Sequence, residues 1–354
     1  MACVRIEGEI SGNSPYITKL FIEMILMLTW LKSVSKPFFI VLVGFIVLTR
    51  FQGCQYIAAY SGAGFAANLP DATSIAKPIS CNTQALQVMS YNVRYGSTTI
   101  EAVANRFRGG DTGDGYLPWS VRIPEIRARI ASYAPDLLGL QEMETDADIG
   151  GIVPLDTYTL VTYHLGSFQY GDSALLFKTS RFEKLDSGQM WLGHTPDLPM
   201  SLGFSRLAMI RYVNWVMLRE KSTGFTFMFV NTHFDNASKN KEPSATLFRE
   251  RIASLTKGLP MIVSGDFNTT AGNERYRRLM GSDENPPLLI NSFALFNGQI
   301  GNQASHPNKL IDHILVGGPC KTEVEQWLVD TRQLKNGQRM SDHNPIFARL
   351  RFTS

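Results

Sequence analysis

Short apolar runs separated by polar turn residues recur throughout residues 85–354, and they predict strands more often than helices. A strand is predicted where apolar and polar residues alternate, or where a short apolar run is bounded by turn residues. The fourth and fifth predicted strands form a hairpin across a turn that contains Gly224. The predicted strands are Leu86–Tyr91, Leu137–Gln141, Ser173–Phe177, Val213–Leu218, Phe225–Asn231, Met261–Ser264, Ile311–Val316 and Pro345–Phe352.

Two segments instead predict helices. In Ser120–Tyr133 the apolar residues recur at three- and four-residue steps, the spacing of an amphipathic helix. Pro124 falls in its first turn, where a missing N–H costs little. The second predicted helix is Ser244–Thr256. Because strands outnumber helices and are joined mostly by hairpins or long loops, the pattern predicts one α+β domain over 85–354, with sheets at the centre and helices outside.

The N-terminal part of the chain has a different pattern. Phe38–Thr49 is uninterrupted apolar sequence, shorter than the roughly 20 residues that a helix needs to span a bilayer. Its length suits the hydrophobic region of a secretory signal, with Lys32 and Lys36 as the preceding positive charges. The residues that end at Cys54 resemble a bacterial lipoprotein signal box.

We therefore expect residues 1–54 to be a signal with a lipid anchor, or a membrane segment, and residues 55–84 to be a tether. A buried helix is the remaining alternative for the apolar run. Either of the first two interpretations places the main domain in the cell envelope, membrane-anchored or as a lipoprotein facing the periplasm or exterior, with secretion as second choice.

Composition and charge exclude several classes of protein. The 34 Lys and Arg residues nearly balance 31 Asp and Glu residues, so the formal net charge of +3 gives no strong global attraction for nucleic acid, although a local patch is compatible with it. The four cysteines lack CxxC or metal-like spacing, which argues against a zinc finger or a disulfide-dense scaffold. The chain also lacks a Gly-x-Ser-x-Gly elbow and a glycine-rich phosphate loop.

Polar residues cluster at the ends of the predicted strands. One such residue has a simple explanation, because Asp and Asn favour turns. Six apolar strands that each carry carboxylate, amide or imidazole groups near one end instead indicate a site at the sheet ends. These residues are Asn92, Glu142, Asn231, His233, Asp266, Asn268, Asp312, His313, Asp342 and His343.

The residue types in this set restrict its chemistry. Carboxylate and amide oxygens suit a hard cation such as Mg²⁺ or Mn²⁺, which also binds phosphate oxygens. A histidine held by an aspartate is a common arrangement for moving a proton. Together they predict metal-assisted phosphoryl transfer to water.

Six motifs carry a resemblance to a known family. In chain order they match the endonuclease/exonuclease/phosphatase family, and the chain resembles its bacterial, deoxyribonuclease I-like members over residues 85–352. Trp119 and Arg122 also fit those members. The motifs are Ser90-Tyr-Asn-Val-Arg-Tyr-Gly96, Pro135-Asp-Leu-Leu-Gly-Leu-Gln-Glu142, Asn231-Thr-His233, Gly265-Asp-Phe-Asn268, Ile311-Asp-His313 and Ser341-Asp-His343.

The resemblance implies a four-layer α/β/β/α sandwich with a metal site at the sheet ends. It implies that Glu142 is the principal ligand of Mg²⁺ or Mn²⁺, with Asn92 beside both metal and phosphate and Asp342 as a further acidic partner.

It also implies roles for the groups that handle water and phosphate. His343 is a general base or a phosphate-contacting imidazole, and Asp312 orients it. Asp266 and Asn268 position the attacking water and the phosphoryl oxygens, and His233 contacts the phosphate.

Other residues support weaker expectations. Arg211 is a candidate substrate contact, with a surface or ion-pair role as the alternative, and Asp172 stands where many relatives carry Glu. His194 and His306 are interpreted as ordinary loop histidines. A cluster after Asn268, formed by Arg275, Arg277 and Arg278, is interpreted as a solvated helix face. Cys81 and Cys320 can pair if the domain is exported.

These observations predict a metal-dependent phosphoric ester hydrolase that acts on a phosphodiester or a phosphomonoester, and we expect it to be a monomer. The substrate stays open between DNA or RNA, a lipid headgroup as in sphingomyelinases, and inositol phosphates or other small phosphoesters. A surface lipoprotein that reuses the fold for binding is a distant third alternative.

Overall fold

A computed structural model of the protein describes residues 81–94, 119–165, 168–205, 209–256, 258–281, 287–297, 303–334 and 337–354. All of them belong to one unit, Asn68–Ser354. The expected signal or anchor at 1–54 and nearly all of the expected tether at 55–84 lie outside these ranges. No helix within the described ranges combines the length and apolar character that crossing a membrane requires.

Within the described ranges, twelve strands form two six-stranded sheets. In spatial order the first sheet contains β11 (Lys321–Val329), β12 (Ile346–Thr353), β1 (Leu86–Asn92), β2 (Leu137–Gln141), β4 (Phe168–Lys178) and β3 (Tyr158–Leu165). The second contains β5 (Phe182–Trp191), β6 (Tyr212–Glu220), β7 (Thr226–His233), β8 (Met261–Asp266), β10 (Asp312–Gly317) and β9 (Leu289–Asn291). The helices are α1 (Trp119–Tyr133), α2 (Asp146–Ile152), α3 (Ser238–Thr256), α4 (Glu274–Met280) and α5 (Ser292–Leu295).

Alternating residues of the central strands build the layers. Val88 of β1 faces the core between the sheets, where it joins Phe229 and Ile262 of the second sheet. Its neighbour Met89 faces outward and packs with Ile126 of α1. On the other side, α3 and α4 cover the outer face of the second sheet. The central strands β2, β7 and β8 are covered on both faces and are buried over nearly their whole length, and the predicted four-layer α/β/β/α sandwich is confirmed.

Strand direction brings the ends of six strands to one edge. β1 runs parallel to β2, and β7 runs parallel to β8. β10 and β12 run antiparallel to their neighbours, so their first residues lie where the parallel strands end. The register places Asp312 opposite Asp266, and Asp266 beside His233. The topology therefore gathers the polar strand-end residues of both sheets.

The two sheets approach closely next to this edge. Asn231 of the second sheet donates from Nδ2 to the carbonyls of Leu140 and Ala174, at 2.9 and 2.7 Å. A Cβ at Gly139 would lie 2.2 Å from Ser264 Oγ and 2.4 Å from Asn231 Oδ1. Only glycine therefore fits at this position, and the contact fixes the separation of the sheets beside the site.

The structure extends several predicted elements and adds others. α3 begins at Ser238 rather than at the predicted Ser244. The prediction missed its first turns because five of these six residues are polar and the sixth is Pro243, so they show no apolar periodicity. α2 and α4 were missed, although each has a local start signal: Thr145 forms a capping box with Asp148, and Asn273 accepts a hydrogen bond from the backbone of Tyr276. The predicted strands are confirmed, most of them one or more residues longer.

Cys81 and Cys320 form a disulfide across a sequence separation of 239 residues. The bond joins the segment before β1 to the turn after β10, at the end of the sheets opposite the gathered strand ends. A cross-link that closes a long loop stabilises mainly by restricting the unfolded chain.

Removing this bond should destabilise the domain without changing its chemistry. We expect Cys320→Ser to lower the free energy of unfolding by about 2–5 kcal/mol, and dithiothreitol to have the same effect on the unmodified chain. Denaturant unfolding under oxidising and reducing conditions measures both. A variant whose stability still responds to dithiothreitol, or an unmodified chain that does not, would contradict this assignment.

Candidate active site

Asp266, the last residue of β8, lies at the centre of the gathered strand ends and is 1% exposed. Its Oδ2 lies 3.1 Å from Asn92 Nδ2, 3.5 Å from His233 Nε2 and 3.6 Å from His343 Nε2. Its Oδ1 accepts a hydrogen bond of 2.8 Å from the backbone N–H of Asn268. One buried carboxylate thus faces an amide and two imidazoles.

His343 is fixed by a second carboxylate. Its Nδ1 donates to Asp312 Oδ2 at 2.8 Å, which leaves Nε2 directed at Asp266. Burial lowers the pKa of His343, but the charges of Asp312, Asp266 and Asp342 outweigh it and raise the pKa to about 10. The backbone N–H of Asp312 donates to Ser305 Oγ at 3.1 Å. The arrangement agrees with the expectation that Asp312 orients His343.

His233 has the same arrangement on the other side of Asp266. Its Nδ1 donates to Asp172 Oδ1 at 2.8 Å, and Asp172 Oδ2 binds the Arg211 guanidinium. Burial and Arg211 lower the pKa of His233, yet Asp172 and Asp266 reverse the effect, so the pKa is raised overall. Burial raises the pKa of Asp172, but Arg211 and His233 together hold it well below its ordinary value.

Arg211 therefore forms an ion pair with Asp172, which is one of the two roles expected for it from the sequence. Its side chain is largely buried beside Asp172 and His233. Asp172 lies within β4 rather than at a strand end, which is why the strand-end pattern did not find it. Its position directly before the predicted strand Ser173–Phe177 was the available signal.

Glu142 joins the site through Asn92. Asn92 Nδ2 donates to Glu142 Oε1 at 3.0 Å as well as to Asp266, so one buried amide holds two carboxylates in place. Asn92 Oδ1 accepts from the backbone N–H of Arg94 at 2.9 Å and keeps a second lone pair. The Glu142 backbone N–H donates to Asp172 Oδ1 at 3.1 Å.

Two of these residues have left-handed backbone conformations. Glu142 has φ of 59° and Asn268 has φ of 49°. Such conformations cost a residue with a side chain of order 1–3 kcal/mol and concentrate at functional sites. The Asn268 conformation lets its backbone bind Asp266 while Nδ2 donates to the carbonyl of Phe234 at 2.9 Å.

Asp342 stands beside two histidines. Atoms of His306, Asp342 and His343 that could ligate a metal lie within 4.8 Å of one another, and so do those of Asp266, Asp312 and His343. Glu142 is in neither group, and Asn92 connects it to Asp266 instead. The His306 ring lies 4.8 Å from the His343 ring. His306 is therefore a site residue rather than an ordinary loop histidine.

Arg122 connects the loops that carry the site. Its Nη1 donates to the carbonyls of Val93 and Met340, both at 2.8 Å, and its guanidinium lies over the Trp119 ring. Val93 follows Asn92, and Met340 precedes the Ser341-Asp-His343 motif. The buried Arg122 thus joins the end of β1 to the segment that presents His343.

The remaining candidates have structural contacts. His313 points away from Asp312: its Nε2 donates to the carbonyl of Thr269 at 2.8 Å, and burial lowers its pKa. Asn231 joins the sheets, as described above. His194 packs edge-on against Phe204. Within the part of the chain that the structure describes, none of His313, Asn231 and His194 has a hydrogen bond to Asp266.

Asp172 should act on the site through His233 and Glu142. We expect Asp172→Asn to lower kcat/KM by about 10- to 100-fold, as loss of a supporting hydrogen bond does at comparable sites. It should also lower the pKa of His233, because burial would no longer be opposed by the Asp172 charge. Activity assays and an NMR titration of the His233 ring measure the two effects.

Asp172→Glu is the matched control, since it keeps the carboxylate. It should retain a raised His233 pKa and recover part of the activity. An unchanged His233 pKa in Asp172→Asn would show that the pair does not control the imidazole.

Comparisons with known proteins agree with this architecture. The sequence profile described as "Endonuclease/Exonuclease/phosphatase family" matches residues 89–343. No protein with a curated description matches the chain. An endonuclease/exonuclease/phosphatase family protein from Bacteroides thetaiotaomicron has 25% identity and a TM-score of 0.62, covering 77% of this chain and 99% of its own.

Two further solved structures are similar. A mannosyl-6-phosphatase from B. thetaiotaomicron has 25% identity and a TM-score of 0.59, covering 75% of this chain and 99% of its own. The human Nocturnin catalytic domain has 21% identity and a TM-score of 0.57, covering 76% of this chain and 95% of its own. With its sandwich fold and a profile match over most of its length, the chain belongs to the endonuclease/exonuclease/phosphatase family, whose members hydrolyse phosphoester bonds.

Proposed function

We propose that this protein is a divalent-metal-dependent phosphoesterase that hydrolyses a phosphomonoester or phosphodiester by attack of water. One observation carries the proposal: the buried Asp266 carboxylate faces His233 and His343, and each imidazole is held by its own aspartate. Paired imidazoles can hold phosphoryl oxygens while the carboxylate between them accepts a proton from water.

The donor set beside this centre fits a hard cation. Glu142 and Asp342 offer carboxylate oxygens, and Asn92 Oδ1 has a free lone pair, which together suit Mg²⁺ or Mn²⁺. We assign these three residues to the metal. When bound, it would supply positive charge that neutralises the phosphoryl group and the leaving oxygen.

The residues of the chain divide the remaining work. Because both ring nitrogens of His343 face carboxylates, we assign this histidine to a phosphate contact rather than to proton abstraction. Asp266 then accepts the proton of the attacking water. Asn268 and His233 position the phosphoryl oxygens. Arg211 is a further candidate substrate residue, which would act indirectly by supporting Asp172 and His233.

The similar mannosyl-6-phosphatase favours a phosphomonoester on a sugar as one substrate class to test. The test is hydrolysis by the purified full chain with Mg²⁺, Mn²⁺ or EDTA, using mannose 6-phosphate, 4-nitrophenyl esters, DNA, RNA, sphingomyelin and inositol phosphates, with His343→Ala as control. Turnover that requires metal and is lost in the control supports the proposal. Absence of both turnover and metal binding would favour a binding protein.

We further propose that the domain works outside the cytoplasm, in the cell envelope. The Cys81–Cys320 disulfide supports this location, because disulfides persist mainly in oxidising compartments. The apolar run and Cys54 identified in the sequence supply the signal and the attachment point. Metabolic labelling with a fatty acid tests the attachment: label on the wild type and none on Cys54→Ser is expected, and unlabelled protein in the cytoplasm would contradict it.

A further inference from the structure

Three basic residues lie in segments that adjoin the centre, and the proposed chemistry does not use them. We call Lys241, Arg275 and Lys309 the cationic cluster. Lys241 lies in the first turn of α3 and Arg275 in the first turn of α4, shortly after the motifs that carry His233 and Asn268. Lys309 comes from the turn before β10.

The turn that carries Lys309 is held next to His343. His306 and Lys309 exchange backbone hydrogen bonds of 3.0 and 2.7 Å. The carbonyl of Ser305 accepts the backbone N–H of Asn344 at 2.6 Å, and the His306 ring contacts His343. The turn is therefore fixed to the segment that presents the catalytic histidine, which places Lys309 at the rim of the site.

Lys241 and Arg275 come from adjacent helices on the same side. Arg275 Nε lies 3.8 Å from Oε1 of Glu242, and Glu242 is the residue that follows Lys241 in the sequence. Burial and the charges of Arg275 and Lys309 lower the pKa of Lys241, while Asp266 and Asp235 oppose this effect. Lys241 therefore interacts with both of the other cations, and also with the central carboxylate.

The cluster has an excess of positive charge. Within the described part of the chain, neither Lys241 nor Lys309 has a carboxylate within 4.0 Å, and Glu242 is the single partner of Arg275. On the outer side of α4, by contrast, Arg277 and Arg278 both pair with Glu274 at the surface. Those two arginines form the solvated helix face that the sequence predicted, whereas Arg275 turns inward. Unpaired like charges kept beside a reaction centre attract an anion.

We propose that the cationic cluster binds a second phosphoryl group of the substrate, next to the group that is hydrolysed. This inference rests on the proposed function and specifies its substrate class: esters that carry two phosphoryl groups a few bonds apart. Successive phosphates of a nucleic acid strand and neighbouring phosphates of a small polyol both have this chemistry. The near-neutral net charge is compatible with it, because the attraction is local.

A matched pair of substrates tests the inference. The 4-nitrophenyl ester of thymidine 5′-phosphate contains one phosphoryl group, and the same ester with a 3′-phosphate contains two. Both release 4-nitrophenolate, so their kcat/KM values are directly comparable. We expect the wild type to prefer the ester with two phosphoryl groups. Lys241→Gln, Lys309→Gln and Arg275→Gln should each reduce that preference, the ratio of the two kcat/KM values, by about tenfold.

Arg277→Gln is the matched control, because it removes a positive charge from the same helix on the outer face. It should leave the ratio unchanged. Equal losses on both esters in the cluster variants, or a wild type without preference, would overturn the inference. Once the esters show this preference, comparing di- with mononucleotides and inositol bisphosphate with monophosphate identifies its source, which is the pair whose preference depends on the cluster.

Failure of the proposed function gives a different result. A protein that hydrolyses neither ester under any metal condition can still be tested for the subsite by calorimetry with thymidine 3′,5′-diphosphate and thymidine 5′-phosphate. Tighter binding of the diphosphate that is lost in the Lys241→Gln/Lys309→Gln double variant supports the cluster even then. Equal binding of the two nucleotides, or an undiminished difference in the double variant, overturns it.

Discussion

Asp266→Asn is expected to lower kcat by about 10²- to 10⁴-fold, the range typical for loss of a group that transfers a proton. The substitution preserves the size of the side chain but removes the negative charge that faces both imidazoles. It also replaces an acceptor by a donor opposite the Asn92 amide, 3.1 Å away. Steady-state kinetics on a 4-nitrophenyl ester measure the loss, and denaturant unfolding shows how much comes from destabilisation.

Asp136→Asn provides the matched control for this experiment. Asp136 is also a buried aspartate, 3% exposed, but it precedes β2 at the end of the sheet opposite the site. It binds Lys178 at 3.0 Å and Arg181 at 2.5 Å. The control should lose stability and keep its kcat. If Asp266→Asn showed the same pattern as the control, Asp266 would be a structural residue only.

Glu142→Gln should reduce activity by about 10²- to 10³-fold at a fixed Mg²⁺ concentration. The amide still accepts the hydrogen bond from Asn92 but lacks the charge that holds a cation. A bound metal contributes several kcal/mol to stabilising the transition state, and 1.36 kcal/mol corresponds to a tenfold change in rate. The variant should require more metal for half-maximal activity, which a Mg²⁺ titration measures.

Glu144→Gln is the control, two residues along the same loop. Burial raises the pKa of Glu144, and the nearby Asp148 adds to that effect, so this carboxylate belongs to the surroundings of α2 rather than to the site. It should show a metal dependence close to that of the wild type. Identical Mg²⁺ titration curves for Glu142→Gln and the wild type would exclude Glu142 as a ligand.

The sequence predicted the interior of both sheets and missed their margins. The four strands absent from the prediction are β3, β5, β9 and β11, and each lies at an edge of its sheet. β11, for example, alternates exposed and half-buried residues over most of its length. Edge strands have less apolar surface to bury, so β5 and β11 show little of the hydrophobic period by which the inner strands were found, and β9 has only three residues.

The site shows a similar division. Residues at strand ends were predictable because parallel strands and their antiparallel neighbours share one edge, and the structure brings Asp266, His343 and Glu142 into one connected group. Asp172 and His306 depend on contacts between distant segments. No local pattern specifies that the turn at His306 lies against His343, since that contact is held by the backbone hydrogen bond that Asn344 donates to Ser305.

The disulfide determines how the domain would respond to force on its N-terminal segment. Tension applied to the chain before Cys81 passes through a covalent bond into the turn at Cys320, instead of peeling β1 from its neighbours. Because Cys81 precedes β1 and Asn92 ends it, the point of attachment and the site lie at opposite ends of that strand. A pull on the segment before Cys81 would therefore act on the domain at the end of the sheets opposite the site.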